Sequence, residues 1–304
     1  MKRLNFLVVL VAVLLVSASV FAQKPKPAPA PKPAPIIFAV LNDGKMVEPL
    51  AYVEGGKLVQ PVSGGEEPAR LASFNRTYYK ANASYRLIFG GAIAGTVTIR
   101  SSDPKAECSA NMADVSTVSA RAKLRGNVMA LATNVIAAKK GSGVRRFPTA
   151  AERAQIEALV RSELAIQKVP SAAVKTLRSQ NLTALDVDSD GLAELVGTYW
   201  VDTSAASRAL LFFIADKGSD GKYSFGFTDF RNIKKDDVMS SDITDVDSGV
   251  YHERLLDVFD FDNDGVAEVF TYVQSFEGAG FNAYRRESGK WTMIFEGSNY
   301  HCGY

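Results

Sequence analysis

Two stretches decide how this chain is read: LDVDSDGLAELV at residues 185–196 and FDFDNDGVAEVF at residues 259–270. Each carries D-x-D-x-D-G-x-x-E, and the copies lie 74 residues apart. The first supplies Asp186, Asp188, Asp190, Gly191 and Glu194; the second supplies Asp260, Asp262, Asp264, Gly265 and Glu268. Three carboxylates at alternate positions repel one another unless a cation sits among them. Calcium is a hard cation that takes six to eight oxygens at ~2.3–2.6 Å, often with one bidentate carboxylate. The glycine after the third Asp permits the sharp turn around such an ion. The next carbonyl, of Leu192 or Val266, then points inward, and the Glu closes the shell. The duplicated pattern therefore predicts two calcium ions.

The flanks of both loops are strand-like. An EF-hand wants Glu at loop position twelve and helical flanks, whereas position twelve here is Gly197 or Thr271. Downstream of each loop comes a Gly-Lys-aromatic turn, Gly221-Lys222-Tyr223 and Gly289-Lys290-Trp291, followed by apolar alternation. Each copy reads as about four antiparallel strands with the Asp loop between its first two. This arrangement resembles the calcium loops of the FG-GAP and VCBS repeat families, the type found in integrin-alpha β-propellers, over roughly residues 182–298. The resemblance implies calcium ligation by loop positions one, three and five, the position-seven carbonyl and the position-nine carboxylate. It also implies a C-terminal half of two four-stranded, propeller-blade-like repeats.

Upstream, residues 148–180 form the clearest helical segment. Thr149 and Glu152 make a capping box after Pro148, and Ile156, Leu159, Val160 and Leu164 recur at helical spacing. Pro170 stops this helix, and Ser171 can cap a shorter one through Leu177. The pair is expected to pack between, or link, two β-rich parts. Residues 36–147 read as mostly β. Runs at 36–41, 51–53 and 57–62 are separated by the turn signals Asn42-Asp43-Gly44 and Glu54-Gly55-Gly56. A second hairpin is expected around Gly90-Gly91, and a third from residues 117–124 and 127–135. The predicted fold class is mainly β, in antiparallel sheets, with a short helical segment.

The N-terminus reads as a secretory signal peptide over residues 1–22. Lys2 and Arg3 precede an unbroken apolar run of 11 residues, 6–16, and Val20-Phe21-Ala22 suits cleavage before Gln23. That run is too short to cross a ~30 Å hydrocarbon layer. Residues 23–35 form a Pro-rich linker whose KPKPAPAPKPAP core, at ~3.1 Å per residue, spans roughly 37 Å as polyproline II. The whole chain has 35 basic and 33 acidic residues, a formal +2. Five basic and no acidic residues fall in 1–35, which leaves 30 basic against 33 acidic in the rest. The basicity belongs to the leader, and no nucleic-acid surface is implied.

Two cysteines occur, Cys108 and Cys302. In the oxidising compartment implied by the leader they are expected to pair, tying the repeat region back to the N-terminal half. Asp236, Asp237, Asp242, Asp245 and Asp247 lack the third Asp and closing Glu of the loops and read as a solvated stretch. Neither His252 nor His301 has a nucleophile elbow nearby. Asn75, Asn82 and Asn181 lie in glycosylation sequons. The reading is a secreted or periplasmic, non-catalytic, calcium-binding module that engages a protein or glycan. A hydrolase with its site in the N-terminal half, or a structural envelope component, are the alternatives.

Overall fold

A computed structural model of the chain describes residues 32–137 and 140–302, so the expected signal peptide and most of the Pro-rich linker lie outside the described residues. The N-terminal half builds on IIFAVL, strand β1 (Ile36–Leu41), every residue of which is buried. Its side chains alternate between two cores. Ile36, Phe38 and Val40 enter one cluster, while Ile37, Ala39 and Leu41 enter another. An unbroken apolar run is what a strand covered on both faces requires.

Around β1 run β2 (Met46–Glu54), β3 (Lys57–Val59), β4 (Ser84–Phe89), β5 (Ala92–Ser102), β6 (Ala113–Ser119) and β7 (Ala130–Thr133). The spatial order is β1-β7-β4-β5-β6-β2-β3, and β1 also pairs with β2. Six strands thereby close into a barrel, which leaves them no free edge. The expected hairpin from residues 117–124 and 127–135 does not form. Strand β6 pairs with β5 and β2, and β7 pairs with β1 and β4. The intervening loop is drawn across instead, because the Gly126 amide donates to Asp43 Oδ1 at 2.9 Å and Leu124 packs over Gly44.

A helix that the β-like sequence pattern concealed, α1 (Pro68–Tyr78), buries Leu71, Phe74 and Tyr78 against the first β1 cluster. Pro68 in its first turn and that apolar spacing are ordinary helix signals. Asn75, one of the sequon residues, is buried on α1 and donates to the Leu71 and Ala110 carbonyls.

In the C-terminal half, α2 (Ala150–Ile166) carries the expected capping box. The Glu152 amide donates to Thr149 Oγ1 at 3.2 Å, and the Thr149 amide donates to Glu152 Oε2 at 2.8 Å. Ile156, Val160 and Leu164 are fully buried. With α3 (Ser171–Val174), which follows Pro170 without a side-chain cap, α2 packs on one face of the first repeat's sheet. That sheet contains β8 (Arg145–Arg146), β9 (Arg178–Leu185), β10 (Glu194–Ser204), β11 (Ser207–Lys217) and β12 (Tyr223–Lys234), in the order β12-β11-β10-β9-β8. The second repeat is the four-stranded meander β13 (Glu253–Phe259), β14 (Glu268–Gln274), β15 (Gly278–Glu287) and β16 (Lys290–Tyr300). Each repeat thus has four consecutive antiparallel strands with its Asp loop between the first two. The propeller-blade expectation does not describe the architecture. The closed element is the N-terminal barrel, and the first repeat takes a fifth strand, β8, from outside the repeat.

The layers stack as α2 and α3, the first repeat's sheet, the second repeat's sheet, then the barrel. The two repeat sheets meet through Val196, Phe212, Leu255, Val269 and Tyr284, and the second sheet meets the barrel through Leu256, Phe270, Phe281 and Phe295. The acidic stretch at 236–247 is more than a solvated loop. It contains α4 (Thr244–Asp247), buries Val246, and places Asp247 against Arg208 at 2.6 and 2.9 Å. Among the described residues no helix is long and apolar enough to cross a membrane.

One buried ion pair joins the barrel to the repeats. A bulge at Leu256 in β13 breaks the register with β14. Fully buried Asp257 then accepts from the Gly90 and Gly91 amides at 3.1 and 3.2 Å, and from Arg145 Nη1 at 2.8 Å. Arg145 Nη1 also reaches the Leu256 and Met129 carbonyls at 2.7 and 2.9 Å, and the guanidinium lies over Phe89 at 4.6 Å. Gly90 has φ +63°, and a Cβ there would fall 2.8 Å from the Gly143 backbone, so only glycine lets the β4–β5 turn approach. The expected Cys108–Cys302 disulfide is present, with Cα atoms 5.2 Å apart. Beside it Asn299 Nδ2 donates to Glu48 Oε1 at 2.7 Å, and His301 Nε2 lies 2.7 Å from the same oxygen.

Removing the Asp257 carboxylate tests the junction. Asp257→Ala leaves the Arg145 charge buried without its partner, and should cost about 3–5 kcal/mol in urea unfolding at neutral pH; a cost below about 1 kcal/mol would show that the pair does not hold the junction. A second test concerns His252, fully buried with its ring edge-on to Trp200 and, among the described residues, no hydrogen-bond partner at either ring nitrogen. Burial, with Arg254 and Arg231 nearby, pushes its pKa down to about 4; the Val246 backbone and Asp247 pull weakly the other way. Below the unfolded value of 6.5 the unfolded chain binds the proton first. Stability from His252 is therefore full above pH 6.5 and lost as the pH falls towards 4, on the order of 3 kcal/mol. Stability curves of the protein and of His252→Gln should converge over that window, and parallel curves would refute the assignment.

Candidate metal centre

The two Asp loops share internal hydrogen bonds at positions five and seven, and in the second loop the Gly265 amide also donates to Asp260 Oδ2 at 3.0 Å. At position five, the Asp190 and Asp264 amides donate to Asp188 Oδ1 and Asp262 Oδ1 at 3.3 and 3.2 Å. At position seven, the Leu192 and Val266 amides donate to Asp190 Oδ1 and Asp264 Oδ1 at 2.7 and 2.8 Å. Position four has positive φ in both, Ser189 at +63° and Asn263 at +68°, and so does position six, Gly191 at +84° and Gly265 at +101°. The position-nine carboxylates reach back across each loop, Glu194 Oε2 to the Val187 amide at 3.0 Å and Glu268 Oε2 to the Phe261 amide at 3.4 Å. A turn built this way bends its side-chain oxygens inward because its amides are already satisfied on the inside of the curve.

Two groups of carboxylates are close enough to hold a metal ion. Ligand atoms of Asp186, Asp188 and Glu194 lie within 4.8 Å of one another in the first loop, as do those of Asp260, Asp262 and Asp264 in the second. Asp190 falls outside the first group and Glu268 outside the second. Position one carries the informative detail: Asp186 Oδ1 and Asp260 Oδ1 are both buried without a hydrogen-bond partner among the described residues. A buried carboxylate oxygen left unpaired is costly, and the same atom is left so in both loops.

Electrostatics point the same way. Burial raises the pKa of Glu194 to about 7 and of Glu268 to about 8, against their backbone hydrogen bonds and against Arg286 and Arg285 respectively. Burial also raises Asp186 and Asp260, and the neighbouring loop Asp residues add to it. Burial thus works against the ionised form of all four carboxylates, and a bound cation would offset it.

Two arginines that no sequence motif marks partly fill this role. Arg285 and Arg286 are consecutive on β15, so their side chains leave opposite faces of the sheet. Arg285 serves the loop of its own sheet, with Nη2 2.5 Å from Asp262 Oδ2 and Nε 2.8 Å from Glu268 Oε1. Arg286 serves the other loop, bonding Asp188 and lying 3.7 Å from Glu194 Oε1. It also lies 3.3 Å from Asp216, a further carboxylate that β11 places beside Glu194. Asp216 Oδ1 accepts from Trp291 Nε1 at 2.9 Å. Gly226 makes room for that contact, since a Cβ there would fall 2.4 Å from both partners. Arg285 and Arg286 sit in the alternating stretch before the second Gly-Lys-aromatic turn, where their spacing resembles any exposed strand end.

The loops also meet each other. The Ala267 amide donates to the Val187 carbonyl at 2.8 Å, and Ser142 Oγ donates to the Asp186 carbonyl at 2.7 Å. A cavity of about 210 Å³ lies between them, lined by Asp188 and Ser189 of one loop, Asp260 and Gly265 of the other, and Gly91 and Lys140. In comparisons with known proteins, no family model, no curated protein and no solved structure matches the chain.

Proposed function

We propose that this chain is an exported, non-catalytic binding or scaffold protein whose two loops each take one calcium ion. The observation that carries the reading is the repeated orphan, Asp186 Oδ1 and Asp260 Oδ1, in loops that share their hydrogen bonds at positions five and seven. The available donors are all oxygens, which suits a hard cation and not zinc or copper. The ligands would be Asp186, Asp188, Asp190, the Leu192 carbonyl and Glu194 in one loop, and Asp260, Asp262, Asp264, the Val266 carbonyl and Glu268 in the other. Loops of the FG-GAP and VCBS type supply the precedent for this set. The ion would neutralise carboxylates that burial otherwise drives towards protonation, and would share Asp188, Asp262 and Glu268 with Arg286 and Arg285.

The location of the loops supports a bracing role. Both lie inside sheets, between the first two strands of each repeat, touch each other, and share a cavity with the barrel's Gly91 turn. The Cys108–Cys302 bridge suits a secreted or periplasmic protein.

Titration calorimetry on chelator-treated protein should give two calcium ions per chain. Asp186→Asn combined with Asp260→Asn should give none, while each single variant keeps one; an unchanged stoichiometry in the double variant would remove the loops as the site. Calcium should also raise the melting temperature, because an ion that binds only the folded state stabilises it by mass action, about 2.7 kcal/mol per site at a hundredfold excess over Kd. A melting curve indifferent to chelator would contradict the bracing role.

A further inference from the structure

A second cavity, of about 730 Å³, opens where the first repeat's sheet, the second repeat's sheet and the segment after β3 come together. None of the calcium-loop carboxylates lines it, so a ligand bound there is independent of calcium in the loops. Its volume is that of a small-molecule site, and junctions between packed units are where such sites concentrate.

Its wall holds Glu253, the first residue of β13, which is 2% exposed. Three donors converge on a single oxygen of this carboxylate. Thr271 Oγ1 donates to Oε1 at 2.6 Å, Tyr284 OH at 2.7 Å and Asn282 Nδ2 at 3.0 Å. They come from β14 and β15, so the sheet itself fixes the carboxylate's orientation. None of the described hydrogen bonds falls on Oε2, which is left to the cavity that Glu253 lines. Such a held carboxylate with one free oxygen is a preorganised acceptor.

The rest of the lining sets the sign of its partner. Asp229, Glu66 and Glu296 add three carboxylates, and Arg231 is the lone cation of the lining, 3.1 Å from Asp229. Glu66 is paired outside the lining with Arg70. Glu253 and Glu296 have no cation in the described ion pairs. Phe227, Val273 and Met293 give the cavity an apolar side. A neutral polyol would satisfy hydrogen bonds here but leave the buried charge uncompensated, whereas a cationic donor does both.

We infer that this cavity is a binding site for a small organic cation, a primary ammonium or guanidinium on an apolar stem, with Glu253 Oε2 as its principal acceptor. The stem lies along Phe227 and Met293, and Asp229 and Glu296 add to the field that draws the cation in.

Calorimetry with calcium-loaded protein tests this with cadaverine and agmatine as probes, and with 1,5-pentanediol and glucose as uncharged controls. The cations should bind saturably with one site per chain, and the controls should bind at least about tenfold more weakly, as expected when a charge-assisted hydrogen bond is lost. Glu253→Gln keeps the size of the side chain and should weaken cadaverine by about tenfold or more. Asp229→Asn leaves the Thr271, Asn282 and Tyr284 bonds to Glu253 in place, and should weaken cadaverine by a smaller factor without lowering the melting temperature. Failure of both cations to bind, or equal binding of pentanediol or glucose, would overturn the inference. So would full cadaverine affinity in a folded Glu253→Gln variant.

Discussion

The arrangement of the molecule depends on the carboxylate of Asp257. A strand that begins with a glutamate and carries an aspartate four residues later would be expected to show one of them to water. The bulge at Leu256 instead turns Asp257 out of the second repeat's sheet and into the barrel. There it meets two consecutive glycine amides and the Arg145 guanidinium. Burial on this scale is tolerable because the charge is paired and its oxygens are hydrogen-bonded, and each partner is supplied by a different part of the fold. The turn comes from the barrel, the arginine from the strand that starts the first repeat's sheet, and the acid from the second repeat.

The same bulge has a counterpart in the first repeat, where the register of β9 against β10 slips between Gln180 and Thr183. The two irregular strands lie together, and Asn181 Oδ1 of one accepts from the Leu255 amide of the other at 3.0 Å. The Thr198 hydroxyl donates to the Glu253 carbonyl beside it at 2.6 Å. The repeats therefore share their deviation from regular geometry as well as their loops. Both position-nine glutamates face an arginine of β15, Glu194 at 3.7 Å from Arg286 and Glu268 at 2.8 Å from Arg285. The loops diverge in what else that arginine holds, since Arg286 also pairs with Asp216.

What the sequence revealed was local. The Asp loops, the capping box at Thr149, the fully apolar β1 and the four strands per repeat all rest on spacings within about a dozen residues. Barrel closure does not, because β6 pairs with β2 and β7 with β1 and β4, all far away in the chain, and adjacency suggested a β6–β7 hairpin in place of which the Gly126 amide bonds Asp43. Helix α1 was legible in Pro68 and the Leu71, Phe74, Tyr78 spacing, but at 11 residues it is short and lies between β signals. Arg285, Arg286, Glu253 and Asp257 all lie on strands where charged residues are ordinary. Their meaning comes from bulges and sheet stacking that bring them to buried partners, and no short pattern records those. The disulfide could be named from two cysteines and an export signal. The network of Glu48, Asn299 and His301 beside it could not.

That bridge has a topological consequence. Cys108 and Cys302 are 194 residues apart, and the covalent ring they close contains β6, β7, both repeats and every candidate metal ligand. A protease that cuts any single peptide bond within the ring opens it without separating the pieces, since the sulfur link still joins them. In an environment rich in proteases, the chain can be nicked between residues 108 and 302 and still remain one covalent molecule until a reductant or a second cut arrives.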